Sequence, residues 1–259
     1  VLIKELQSYK KQYAVPRKTL IDNLEEAVVE EKKIEEMDVV FLMDRFGYAK
    51  TVDVSVYERN KEAADTENRY ILTCKNTDKI CIFTNKGQMH LLKVLDLPYG
   101  KFRDKGIPID NLSNYNSSEE NFIYIINLGA IIHSRLLFGT KTAMLKMVDG
   151  SEFDVAKRTT ASTKLNEDDE LLIVHTMTGE ETVVMQSEKE MFLRIEASTI
   201  PEKKKGAVGV RGMKLNAGDA LSNIYVLDGE SEQTVEVKGK EVVLNRLRVG
   251  NRDTKGTKR

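Results

Sequence analysis

Three histidines, His90, His133 and His175, and two cysteines, Cys74 and Cys81, are the side chains best suited to nucleophilic or metal chemistry. The histidines stand far apart, in or beside strand-like runs. That suits core or surface positions better than a Ser/His/Asp or metal arrangement. Cys74 and Cys81, with His90 further on, lack the paired short spacing of a zinc site. Two cysteines do not make a disulfide framework, and reduced cytosolic thiols are the expected state. Carboxylates cluster at Glu167-Asp168-Asp169-Glu170 and at Glu180-Glu181. Both clusters read as solvated turns rather than as an acid/base pair. No Walker A or dinucleotide fingerprint is present, and Gly206 to Gly212 does not sit between a strand and a helix. The sequence therefore predicts no catalytic residue and no metal site.

What does recur is glycine beside cations. Glu202-Lys203-Lys204-Lys205-Gly206 leads into Val208-Gly209-Val210-Arg211-Gly212, and Lys101-Phe102-Arg103-Asp104-Lys105-Gly106 occupies the corresponding place earlier. Asn251-Arg252-Asp253-Thr254-Lys255-Gly256 occupies it at the end, and Lys157-Arg158 does so more weakly. In a ring of repeated units one repeat position maps to one rim. The expectation is a curved band of Lys and Arg, with glycines that let a backbone approach closely. Such a band suits the phosphates of DNA without reading bases.

The elements that must carry this band are short and β-rich. Apolar runs such as Val39-Val40-Phe41-Leu42-Met43, Ile80-Cys81-Ile82-Phe83 and Thr182-Val183-Val184-Met185 alternate with turn signals. Taking Gly47, Asn85-Lys86-Gly87, Asp149-Gly150, Glu188-Lys189 and Lys238-Gly239 as hairpin turns gives a mean period near 48 residues from Gly47 to Gly239. Lys105-Gly106-Ile107 also returns about 103 residues later as Val208-Gly209-Val210. A period of this size fits four-stranded propeller blades. The expected fold is all-β, with about five or six four-stranded blades over residues 37–259. Residues 1–36 form a short helical linker, with a helix from Leu2 to Tyr13, a break at Pro16 and a charged stretch from Thr19 to Glu36.

With 41% hydrophobic residues the chain can bury a substantial core. No run of 18 apolar residues marks a membrane span, and no signal peptide is read at the N-terminus. The missing start Met suggests an excised fragment. The net charge is −1, yet Pro201 to Arg259 holds thirteen basic and eight acidic residues, so a basic end faces an acidic remainder.

The ordered pieces Asp38-Val39-Val40 through Gly47-Tyr48-Ala49-Lys50, Phe83-Thr84-Asn85-Lys86-Gly87, Lys105-Gly106-Ile107-Pro108 and Gly209-Val210-Arg211-Gly212-Met213-Lys214-Leu215 resemble the C-terminal domain of the gyrase-A type, found in the DNA-cleaving chain of the bacterial type IIA topoisomerases, gyrase and topoisomerase IV. Leu2 to Thr19 resembles the segment leaving the catalytic core in that family. The resemblance implies a β-pinwheel, a propeller-like disc whose strands swap between blades, and double-stranded DNA bent around its basic rim. It implies no cleavage chemistry here: the catalytic tyrosine lies in regions absent from this chain, as do the parent's ATP and Mg sites, so no cofactor is expected. Expected partners are the parent topoisomerase core and its ATPase subunit, with no membrane. The fragment is expected to be monomeric, in the cytoplasm at the nucleoid. The DNA contacts it suggests are Arg45, Lys50, Lys86, Arg103, Lys105, Lys203, Lys204, Lys205, Arg211, Arg252 and Lys255. Gyrases usually carry a Gln-Arg-Arg-Gly-Gly-Lys-Gly box in the first-blade loop. Here that loop reads Glu58 to Glu67 without glycine, which points to topoisomerase IV or a box-less relative. A propeller that binds proteins rather than DNA is the alternative, with Tyr99, Phe102 and Tyr115 as its exposed aromatics.

Overall fold

A computed structural model describes residues 2–16, 18–19 and 34–259. The chain divides into two units, residues 1–35 and 36–259. In the first, α1 (Leu2–Tyr13) presents Leu2, Leu6, Tyr9 and Tyr13 to solvent. Most of the expected charged stretch from Thr19 to Glu36 lies outside the described residues.

The second unit is built from five hairpins. β1 (Asp38–Met43) and β2 (Tyr48–Asp53) form the first, followed by helices α2 (Val54–Arg59) and α3 (Lys61–Glu67) and by β3 (Tyr70–Lys75). β4 (Lys79–Thr84) and β5 (Gln88–Lys93) form the second, followed by β6 (Ile107–Pro108) and β7 (Phe122–Asn127). β8 (Arg135–Thr140) and β9 (Met144–Asp149) precede β10 (Thr159–Ala161) and β11 (Leu171–Met177). β12 (Thr182–Ser187) and β13 (Met191–Glu196) precede β14 (Val210–Arg211) and β15 (Leu221–Leu227). β16 (Thr234–Val237) and β17 (Lys240–Val243) precede β18 (Thr257–Lys258).

The sheets interlock. Their strand orders are β3-β1-β2-β6, β10-β5-β4-β7, β11-β8-β9-β14 and β15-β12-β13-β18, while β16 and β17 stand as a pair. Each four-stranded sheet is thus one hairpin flanked by two strands that bracket the next hairpin in the chain. The all-β pinwheel is as the sequence predicts. Its described part is four complete blades and a fifth, two-stranded one.

Alternation along the inner strands feeds two cores at once. In β4, Ile80 and Ile82 face the first blade's Phe41 and Met43, while Cys81 and Phe83 face Leu136 and Phe138 of the third blade. Leu137 then joins Val183 and Met185, and Val184 joins Val237 and Leu244. Sheets buried on both faces need apolar residues at every position, which is why the runs look continuous. Burial also pushes the thiol of Cys74 up to about 11 and that of Cys81 up to about 12, so both are inert.

The segment Glu58 to Glu67, read as a loop, falls within α2 and α3. Asp53 caps α2 by accepting from Ser55 N, and Val54, Val56, Tyr57 and Ala64 cover Val40, Leu42 and Val52 on the first blade's outer face. A second correction concerns the third hairpin. Its turn is Lys141-Thr142-Ala143, with Ala143 at φ 64°, whereas Asp149 caps a 3-10 turn beginning at Gly150. Nor are the acidic clusters simply solvated. Asp169 is buried and accepts from Thr142 N and Oγ1. Glu181 is buried and accepts from Thr178 N and Gly179 N.

Candidate nucleic-acid interface

The glycine-cation segments are three arches of one design. Ala49 pairs with Ile107, and Thr51 bridges to Tyr99, leaving residues 100–106 to loop out between. Leu145 pairs with Val210 and Met147 bridges to Glu202, leaving 203–209. Phe192 pairs with Thr257 and Arg194 bridges to Val249, leaving 250–256. Each arch therefore has the same length. Its last residue is Gly106, Gly209 or Gly256, where an added Cβ would lie 2.7 Å from Ala49 O, 2.6 Å from Leu145 O or 2.9 Å from Phe192 O. Only glycine lets the returning chain touch the blade backbone there.

Lysines pin two of the arches from beneath. Lys50 Nζ donates to Asp104 O at 2.9 Å and to Phe102 O, and lies 5.1 Å from the Phe102 ring. At the equivalent place in the third blade, Lys146 Nζ donates to Lys204 O, Lys205 O and Ala207 O at 3.2, 2.8 and 2.7 Å. Lys146 is 1% exposed, and burial pulls its pKa down to about 8, Glu152 opposing. Carbonyls drawn inward onto an ammonium leave the outer surface of an arch to its side chains.

The second blade has no arch. Leu91 N donates to Arg158 O, and Thr159 and Thr160 pair directly with His90 and Met89. Lys157-Arg158 is therefore not a reduced copy of the loop. In the Lys50 position stands His90, buried against Glu120 at 2.7 Å with Thr159 Oγ1 on its other nitrogen. His133 and His175 are exposed. Among the described residues no group of three His, Cys, Asp or Glu side chains is placed to hold a metal ion.

Arg103, Lys105, Lys203, Lys204, Lys205, Arg252 and Lys255 lie within the arches; Arg45 and Lys86 lie at hairpin tips, Lys50 lies under an arch and Arg211 follows one. Their availability differs. Arg103, Lys105, Lys203 and Lys255 are exposed, and Lys204 is 88% exposed beside a loose 3.5 Å contact to Glu152. Lys205 is turned onto Glu152 O and the Phe153 ring. Arg211 and Asp253 form a bidentate pair that ties the second arch's exit strand to the fourth blade's arch, with Arg252 donating to Arg211 O. Lys86 is paired with Glu170 at 2.9 Å. Glu170 also takes Lys141, and these two hydrogen bonds hold its carboxyl down at about 2. Lys101 of the first arch and Lys146 beneath the second were not singled out by the sequence. Of the aromatics, Tyr99 is exposed and Phe102 half-buried, but Tyr115 is in the core.

Arches of basic residues on interlocked four-stranded blades define a β-pinwheel with one cationic repeat position. Residues 134–175 and 181–228 match the family described as "DNA gyrase C-terminal domain, beta-propeller", each stretch running from one hairpin into the outer strand, β11 or β15, that pairs with the hairpin's first strand. The DNA gyrase A chain of Lawsonia intracellularis is 27% identical over 99% of this chain and 33% of its own length. That of Staphylococcus epidermidis is 29% identical over 98% and 30%. The chain thus spans about a third of the curated relatives it matches. The C-terminal domain of a DNA topoisomerase IV superposes with a TM-score of 0.77 at 22% identity, covering 86% of this chain and 73% of its own. The gyrase A C-terminal domain gives 0.57 at 17% identity, covering 85% and 76%. These likenesses show the fold. The fold is that of these C-terminal domains, and two of this chain's repeats match the gyrase C-terminal family. Among the described residues, no helix is long and apolar enough to cross a membrane.

Proposed function

We propose that this chain binds duplex DNA through its arches, bends it, and presents the bent segment to the topoisomerase core and ATPase subunit of a parent enzyme. The observation that carries the reading is the threefold recurrence of one seven-residue arch, each with exposed cations among Arg103, Lys105, Lys203, Lys204 and Lys255. Binding of this kind is electrostatic and needs no cofactor from this chain. Bending a short duplex through 40–90° costs roughly 1–6 kcal/mol, which several phosphate contacts offset. If Arg45, Arg103, Lys105, Lys203, Lys204 and Lys255 each meet a phosphate, log K falls with log salt at a slope near −5, about 0.9 per contact.

The sequence of the first-blade insert, α2 and α3 in place of a glycine-rich box, favours bending over strong chiral wrapping. The test is a salt-titrated mobility shift on linear duplex, followed by ligation into circles and counting of linking number. A steep salt slope with little change in linking number supports the reading, and a large change would make the domain a wrapper. Absence of binding at low salt would refute the DNA reading and favour a protein-binding propeller.

A further inference from the structure

Phe46 stands at the tip of the first hairpin and is 69% exposed. None of the other four hairpins places a large apolar residue at its tip: these read Asn85-Lys86-Gly87, Lys141-Thr142-Ala143 with Ala143 buried, Glu188-Lys189-Glu190 and Lys238-Gly239. The turn that carries Phe46 is held from both sides. Asp44 Oδ1 accepts from Phe46 N at 2.8 Å and from Tyr48 N at 3.0 Å, and Gly47 closes it at φ 87°. A rigid turn is presenting an apolar ring to solvent, with its direction fixed in advance.

The ring lines two hollows. One, of about 720 Å³, runs past Tyr48, Phe102, Arg103 and Lys105. The other, of about 480 Å³, runs past Arg45 and Arg69. Cations flank the aromatics on both sides: the Arg45 guanidinium lies 4.7 Å from the Phe46 ring centre, and Lys105 Nζ lies 5.8 Å from that of Tyr48. Of the nearby carboxylates, Asp44 is spent on its turn and Asp104 accepts from Lys101 N, while Glu67 lines both hollows. An anchor for a protein partner would sit in an apolar surround. This one sits among cations, at the edge of the first arch.

We propose that Phe46 is a wedge that stacks into a base step of the bound duplex, setting a kink at the first blade, with the flanking phosphates on Arg45 and Arg69 at one side and on Arg103 and Lys105 at the other. This rests on the DNA reading of the arches. Partial intercalation converts a smooth electrostatic bend into a localised one, and it favours pyrimidine–purine steps, which unstack most easily.

The test uses the whole chain and a linear duplex carrying 2-aminopurine at a single central TA step. Wild type is expected to raise the probe's fluorescence several-fold on binding, with the end-to-end distance shortened by energy transfer. Phe46→Ala should abolish the fluorescence rise and lessen the shortening while keeping the salt slope, because the phosphate contacts remain. Phe46→Leu should keep part of the rise. Matching thermal melts check that the exposed substitutions leave the fold alone. Wild type that binds with the expected salt slope but without a rise overturns the wedge alone. So does a Phe46→Ala variant that keeps the rise, and Phe46 then falls to a protein partner. A wild type that does not bind at low salt overturns the arch reading together with the wedge.

Discussion

Replacing Lys146 with methionine separates two opposed forces on its ammonium. Burial lowers the pKa from 10.5 to about 8, a penalty on the charged form of at most about 3 kcal/mol. The penalty is smaller in practice because the arch it holds is open to solvent at Lys204. Against this stand three hydrogen bonds to arch carbonyls. Methionine keeps the volume and removes both, so at pH 7 the variant should lose about 1–2 kcal/mol, the range for losing hydrogen bonds whose acceptors can partly rehydrate. The sign of the pH dependence follows from linkage. A folded-state pKa below the unfolded one means that the unfolded chain binds more protons between pH 8 and 10.5, so wild-type stability rises with pH through that window. The gap between wild type and Lys146→Met in urea unfolding should therefore widen by about 1 kcal/mol from pH 7 to pH 9. A constant or narrowing gap would mean that the carbonyls outweigh burial and hold the ammonium at its ordinary pKa. No loss at pH 7 would mean that Lys146 does not hold the arch, and an unchanged DNA affinity would mean that the arch's order does not matter for binding.

Gly209→Ala places a Cβ against Leu145 O at a residue with φ 105° and should destabilise the domain by about 1–3 kcal/mol, visible as a lowered melting temperature. Glu170→Gln frees Lys86 and Lys141, so DNA affinity at low salt should rise two- to threefold in a shift assay. Because folding lowers the Glu170 pKa from 4.5 to about 2, its contribution is present above pH 4.5 and lost as pH falls from there towards 2, and the variant's acid-unfolding curve should be flatter in that window. Asp253→Asn releases Arg211 and keeps a residue that tolerates the left-handed conformation at φ 60°; binding should tighten modestly, with a steeper salt slope. His90→Ala leaves Glu120 buried without its partner and should cost about 3 kcal/mol in denaturant unfolding.

The blades and the cationic repeat were legible in the sequence because both depend on local pattern. Apolar runs mark strands buried on two faces, and a glycine before each exit strand marks the return of an arch. What escaped depended on non-local partners. Ala143 adopts a glycine-like conformation without being glycine, so the third hairpin's turn carried no signal, and Asp149-Gly150, which looked like one, caps a 3-10 turn instead. Lys146 lies among apolar neighbours in β9 and reads as an outward strand residue; its carbonyls come from residues 58 to 61 positions away. The helices α2 and α3 were hidden by charge, since their few apolar residues need only cover one sheet face. Which cations are already paired, as with Lys86, Lys205 and Arg211, is a matter of approach between blades that no spacing encodes.

The strand exchange has a consequence for how such a chain is made. The first sheet needs β6, which begins at Ile107, after the whole second hairpin has been laid down. The second sheet needs β10 at Thr159, beyond the third hairpin. During synthesis each blade therefore waits for its successor, and assembly lags translation by one repeat throughout. A nascent chain always carries one open edge, ready for the next segment to emerge and equally ready for a stray strand from another chain.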